Sequence, residues 1–148
     1  MATVVAAVGV VIAAEPVWNL GFVAFCSIME TREGFVAVAN DGTIVGAGTF
    51  SHMEPGLDIV VHAFCDPAWH RRWANKRMLR QIFDFPFIEL DLPRVSGFSI
   101  VGVLDAAGEF LLRLGFKQEG LIRQRIITPD GVKHDLKIYG LLREERRF

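Results

Sequence analysis

The sequence predicts a single α+β domain from three features: a β-branched opening segment, two hairpins marked by Asp-Gly turns, and amphipathic stripes of helical period between strands. Thr3 to Ile12 is rich in Val and Ile and reads as a buried strand. Pro16 suits the first turn of a helix, and Trp18, Phe22, Phe25, Cys26 and Met29 then recur at three- and four-residue spacing up to the Thr31–Gly34 break. Gly34 to Asn40 and Thr43 to Phe50 flank Asn40-Asp41-Gly42, where Asp-Gly tolerates the positive φ of a tight hairpin. After Pro55-Gly56, the run Asp58 to Cys65 sends Asp58, Val60, His62 and Phe64 to one face and Ile59, Val61, Ala63 and Cys65 to the other.

Asp66-Pro67 reads as the cap of the next helix, with Trp69, Trp73, Leu79, Ile82 and Phe83 as its apolar stripe and Pro86 as its stop. Arg94 to Val101 is a strand, Ala106 to Leu114 a helix, and Gly115 its C-terminal stop. Phe116 to Thr128 and Val132 to Leu142, joined by Pro129-Asp130-Gly131, form the second hairpin. The expected order is β, α, β, β, β, α, β, α, β, β.

Composition limits the function. The 148 residues suit one core, and 51% hydrophobic against 22% charged residues is incompatible with a disordered chain. A net charge of −1 argues against a surface that coats nucleic acid, which needs many uncompensated cations. Cys26 and Cys65 do not make a disulfide framework, so a reducing cytoplasm is the expected compartment. Ala2 to Ala14 lacks a basic flank and ends at Glu15-Pro16, short of a membrane span, and no membrane partner is expected. His62, Cys65 and His70 lack zinc-site spacing, and no metal is expected.

Phe110-Leu111-Leu112-Arg113-Leu114-Gly115-Phe116-Lys117-Gln118-Glu119-Gly120, set in this element order, resembles the GNAT superfamily of N-acetyltransferases. Arg123, Pro129-Asp130-Gly131, Asp135 and Tyr139-Gly140-Leu141-Leu142 are similar to its ribosomal-protein N-acetyltransferase branch, and the chain is also similar to small GNAT-like proteins of tailed phages, for which the compartment becomes the host cytoplasm. The resemblance implies a mostly antiparallel mixed sheet that splays between strands 4 and 5, with acetyl-CoA wedged in the opening as cosubstrate. Backbone near Phe64 and Cys65 would hold its pantetheine arm. The stretch Arg71, Arg72, Trp73, Ala74, Asn75, Lys76 and Arg77 would hold its pyrophosphate on helix N-terminal N–H groups and guanidinium forks. Asp105, where relatives often carry asparagine close by, would be a further cosubstrate contact.

There is no glycine from Leu57 to Ser96, so five cations (Arg71, Arg72, Lys76, Arg77 and Arg80) stand where the family uses close-approach glycines. Asp58 and His62 are the candidate proton acceptors for an attacking amine. The amine belongs to a protein or small molecule, selected by the helix Trp18 to Met29 and the hairpin Arg123 to Asp135; a homodimer is left open. The helix before Leu-Gly-Phe has no tyrosine to protonate a departing thiolate, and Tyr139, the only tyrosine, fits core packing. The competing reading is therefore a GNAT-shaped binding or structural protein without catalysis. Trp69 and Trp73 beside arginines would also suit a single-stranded nucleic-acid groove, but their helical spacing favours core packing.

Overall fold

The computed structural model describes residues 3–7, 34–38, 41, 43–65, 68 and 74–148. The expected helix from Trp18 to Met29 lies outside them, as do the remainder of the opening strand and residues 69–73. The described elements are β1 (Thr3–Ala7), β2 (Gly34–Val38), β3 (Ile44–Glu54), β4 (Asp58–Cys65), α1 (Lys76–Asp84), β5 (Arg94–Ile100), α2 (Asp105–Leu114), β6 (Lys117–Ile127) and β7 (Lys133–Leu142). The seven strands form one mixed sheet in the order β1-β2-β3-β4-β5-β7-β6. Every neighbouring pair is antiparallel except β4 and β5. A parallel pair needs a crossover, and α1 lies within it.

Local chemistry sets the joints. The Asp41 carboxylate accepts the Thr43 N–H at 2.9 Å and so shapes the first hairpin turn. Gly56, at φ 72, supplies the positive φ after Pro55, and the Leu57 N–H closes the turn on the Glu54 carbonyl at 3.0 Å. Gly115 ends α2 at φ 101, while the N–H groups of Gly115 and Phe116 reach the carbonyls of Leu112 and Leu111.

Two expectations for α1 need correction. Its cap is Asn75 rather than Asp66-Pro67: the Asn75 Oδ1 accepts the Met78 N–H at 3.0 Å, and Asn75 itself is extended. Pro86 does not stop the helical path either. The chain widens into a π-helical turn over Phe85–Glu89, with Leu90 N–H on the Phe85 carbonyl, and this wider hydrogen-bond pattern accommodates a residue without an N–H.

Met78, Leu79, Ile82 and Phe83 of α1, with Leu111 and Leu114 of α2, join Phe50, Ile59, Val61, Val95 and Tyr139 in one core. The Phe50 and Phe85 rings meet at 5.1 Å, tilted by 44°, and Leu111 lies directly over Gly97, which puts α2 close against β5. The opposite face of β3, β4 and β5 carries Thr49, Ser51, Asp58, His62, Arg94 and Ser96. That polar face adjoins the parallel pair.

Candidate functional site

β4 and β5 meet in the ladder at one position, Val60 opposite Ser96, with no further pair among the described residues. Their N-terminal ends are tied by side chains. The Asp58 Oδ2 accepts from Ser96 Oγ at 2.5 Å and from Arg94 Nε at 3.3 Å, while Oδ1 accepts its neighbour's Ile59 N–H at 2.8 Å. Arg94 then crosses β7 and grips Glu119 on β6 with both terminal nitrogens, at 2.8 and 2.6 Å. Gly140 on β7 makes that crossing possible, since a Cβ there would collide with Arg94 and Glu119. The bidentate bond holds the Glu119 carboxyl below the usual carboxylate range.

Beyond Val60 the chemistry changes. His62 is half-buried, and its Nε2 lies 2.9 Å from Ser51 Oγ, which lies 2.8 Å from Nδ1 of the exposed His52. Burial first, and then His52, lower the pKa of His62 to about 4, so the ring is neutral at pH 7. His52 has φ 50, an uncommon left-handed conformation for a non-glycine residue, at a register shift between Ser51 and Glu54.

Phe64 and Cys65 pair with Ala47 and Gly46 of β3, leaving this part of β4 without a ladder partner on its β5 side among the described residues. At the N-terminus of α1, Asn75 takes the Met78 N–H and its carbonyl accepts the Leu79 N–H, which leaves the N–H groups of Lys76 and Arg77 without a partner among the described residues. Both side chains are exposed, whereas Ala74 packs against the core. Arg71, Arg72 and Trp73 lie outside the described residues. Asp105, the first residue of α2, folds back so that its two oxygens each lie 3.1 Å from the Gly102 N–H. Tyr139 is buried, its hydroxyl 3.2 Å from Ser99 Oγ.

The candidates on β4 thus fall in two groups. Asp58 belongs to the tied end of the strand pair, and His62, Phe64 and Cys65 to the parted end. Sequence alone does not single out Ser51 and His52, because their meeting with His62 depends on the β3–β4 register. Arg94 carries no signal of its own, although its partner Glu119 sits in the Leu-Gly-Phe segment.

An α+β sheet whose one parallel pair parts after a single ladder contact, followed by a helix running into Leu-Gly-Phe, is the GNAT fold. Solved structures agree. Ribosomal-protein-S5-alanine acetyltransferase from Vibrio fischeri is similar at 20% identity and TM-score 0.66, over 87% of this chain and 70% of that one. A protein classed as a phosphinothricin N-acetyltransferase is similar at 19% identity and TM-score 0.68, over 96% and 98%. A T. thermophilus protein classed as an acetyltransferase is similar at 20% identity and TM-score 0.70, over 84% and 65%. The chain spans 59%, 63% and 65% of the length of three such structures. No protein-family model matches the sequence, and no curated protein matches it. Among the described residues no helix is long and apolar enough to cross a membrane.

Proposed function

We propose that the protein is an acetyl-CoA-dependent N-acetyltransferase that moves acetyl to a primary amine by direct attack. The observation carrying this reading is the parting of β4 from β5 after Val60 and Ser96, with a helix, α1, in the crossover that joins them. In this scheme the free β5-facing edge near Phe64 and Cys65 pairs with the amides of the pantetheine arm. The pyrophosphate lies on the N–H groups and cations of the stretch from Arg71 and Arg72 through Trp73, Ala74 and Asn75 to Lys76 and Arg77. Asp105, at the start of α2, would be a further contact.

The amine nitrogen attacks the thioester carbonyl carbon, the C–S bond breaks, and the departing thiolate takes a proton from water. His62 accepts the amine's proton. It is the better base of the two candidates because its neutral ring lies past the last ladder pair, whereas both Asp58 oxygens are already engaged. The fold neighbours include proteins named for spermidine, phosphinothricin and ribosomal-protein acetylation, which supports an amine acceptor and supplies a panel to try.

The test is thermal melting with acetyl-CoA, followed by labelled acetyl transfer to spermidine, phosphinothricin and N-terminal alanine peptides. A ligand at a hundred times its Kd stabilises by about 2.7 kcal/mol. A rise in Tm that Lys76→Glu with Arg77→Glu abolishes, plus labelled product, is the expected result. No rise at millimolar acetyl-CoA overturns the proposal. A rise without product for any amine favours a second reading, a binding protein without catalysis. Tyr139 points to that reading, since the chain's only tyrosine is buried against Ser99.

A further inference from the structure

We propose that His62, Ser51 and His52 form a proton relay that carries the amine's proton from the parted strands to solvent; the inference rests on the acetyl-transfer reading and names its proton path. Three side chains on one hairpin make an unbroken chain, His62 Nε2 to Ser51 Oγ at 2.9 Å and Ser51 Oγ to His52 Nδ1 at 2.8 Å. One end is half-buried, the middle residue is 2% exposed, and the far residue is exposed to solvent. A serine between two imidazoles has one hydrogen to give and lone pairs to receive, so the chain has a direction.

In the outward direction His62 carries its hydrogen on Nε2 and donates it to Ser51. Ser51 donates to Nδ1 of His52, and His52 carries its own hydrogen on Nε2. That arrangement leaves a lone pair on Nδ1 of His62, which has no hydrogen-bond partner among the described residues. The transfer is balanced. The amine proton bonds to His62 Nδ1 as the nitrogen bonds to the acetyl carbon; the Nε2 hydrogen of His62 passes to Ser51, and the Ser51 hydrogen passes to His52 Nδ1. His52, now cationic, loses its Nε2 hydrogen to water. The relay resets as a proton from water enters in the reverse sense for the departing thiolate: His52 takes a hydrogen on Nε2, its Nδ1 hydrogen passes to Ser51, the Ser51 hydrogen to His62 Nε2, and the Nδ1 hydrogen of His62 to the thiolate.

The relay also resolves an energetic difficulty. A base whose burial disfavours its cation cannot hold a proton well at pH 7, but a concerted transfer never leaves charge on His62. The charge appears on His52, where water solvates it. The cost of its left-handed backbone is understandable at a residue that must turn its ring back onto Ser51, since strain of this kind gathers at functional sites.

Two measurements test the relay. Imidazole 15N NMR of the intact protein at pH 7 reads the tautomers without turnover: hydrogen on Nε2 of His62 and a hydrogen-bonded lone pair on Nδ1 of His52 are expected. Hydrogen on Nδ1 of His52, donating toward Ser51, reverses the chain and overturns the proposal. Kinetics with an amine the wild type acetylates is the second. Ser51→Ala and His52→Asn should each lower kcat by about tenfold or more with KM little changed. Asn is chosen because it adopts the left-handed backbone readily. Ser51→Thr should restore most of the rate, and added imidazole should rescue His52→Asn. A wild type that turns over while both variants keep its kcat overturns the relay alone. A wild type that binds acetyl-CoA but acetylates nothing overturns acetyl transfer and the relay together.

Discussion

The tied and parted ends of the β4–β5 contact sit a few residues apart but are built from opposite chemistry. At the tied end, Asp58, Ser96, Arg94 and Glu119 form a charged network in which each carboxylate meets a guanidinium. At the parted end a serine lies between two histidines, the half-buried one neutral, and the β4 backbone has no ladder partner on its β5 side among the described residues. A charged network that satisfies its own members resists change but has little left to offer a ligand. Among the described residues the parted end keeps a lone pair on His62 and β4 backbone groups without partners. The difference separates what holds the wedge from what works inside it.

The largest expected effect comes from the parted end. Gly48 lies between the Phe35 ring and the backbone oxygen of His62, and a Cβ would strike both. The oxygen belongs to a paired strand and cannot rotate away, so Gly48→Ala should destabilise the protein by about 3 kcal/mol. Gly140 differs, because its would-be clashes are with the ends of the flexible Arg94 and Glu119 side chains. An unchanged urea midpoint for Gly48→Ala would show that β3 and β4 can yield here.

Next is Arg94→Met, which keeps the stem and removes the fork. Two carboxylates then lose a charge-assisted partner, and the expected loss is about 2–3 kcal/mol, smaller at high salt. Acetyl-CoA affinity should stay within about twofold, since the network lies at the far end of the wedge. Calorimetric titration of the folded variant checks this, and a large drop in affinity would show that the tied end shapes the site directly.

pH separates the two ends again. His62 titrates near 6.5 when unfolded and about 4 when folded, so between those values the unfolded chain binds the extra proton. Its contribution is therefore complete above pH 6.5 and is lost on acidification to pH 4, by about 2 kcal/mol after allowance for partial exposure. Glu119, held below its ordinary value of 4.5 by Arg94, contributes above 4.5 and loses its share only as pH falls through the lower folded value. Urea midpoints for His62→Gln should be flatter between pH 6.5 and 4, and those for Glu119→Gln flatter only below. A single shared acid limb in both variants would contradict the separation.

The sequence made much of this legible, for reasons specific to each part. Asp-Gly and Pro-Gly mark the turns because few residues tolerate their geometry, and alternation along Asp58 to Cys65 is enough to place Asp58 and His62 on one face. Helical period alone does not fix where α1 begins, so Asp66-Pro67 reads as its cap although the Asn75 side chain holds that place. The relay was hidden because a bulge between Ser51 and Glu54 sets which β3 side chain meets His62. Arg94 and Glu119 were hidden because β7 inserts between β5 and β6 out of chain order, and their side chains meet across it over Gly140.

The smallest expected effect lies at Asp105, outside both ends of the strand pair. Its carboxylate braces the Gly102 N–H, a structural task that an amide oxygen performs as well. Asp105→Asn should therefore change stability by less than about 1 kcal/mol. Acetyl-CoA is polyanionic, and removing one nearby negative charge in high-dielectric surroundings is worth about 1 kcal/mol, or roughly fivefold tighter binding at low salt. Salt should shrink that gain, because the Debye length falls from about 10 Å at 0.1 M to about 3 Å at 1 M. Calorimetric titrations at both salt concentrations decide it: a gain that persists at 1 M would mean direct contact with the amide, and no gain at either would put Asp105 outside the reach of the phosphates.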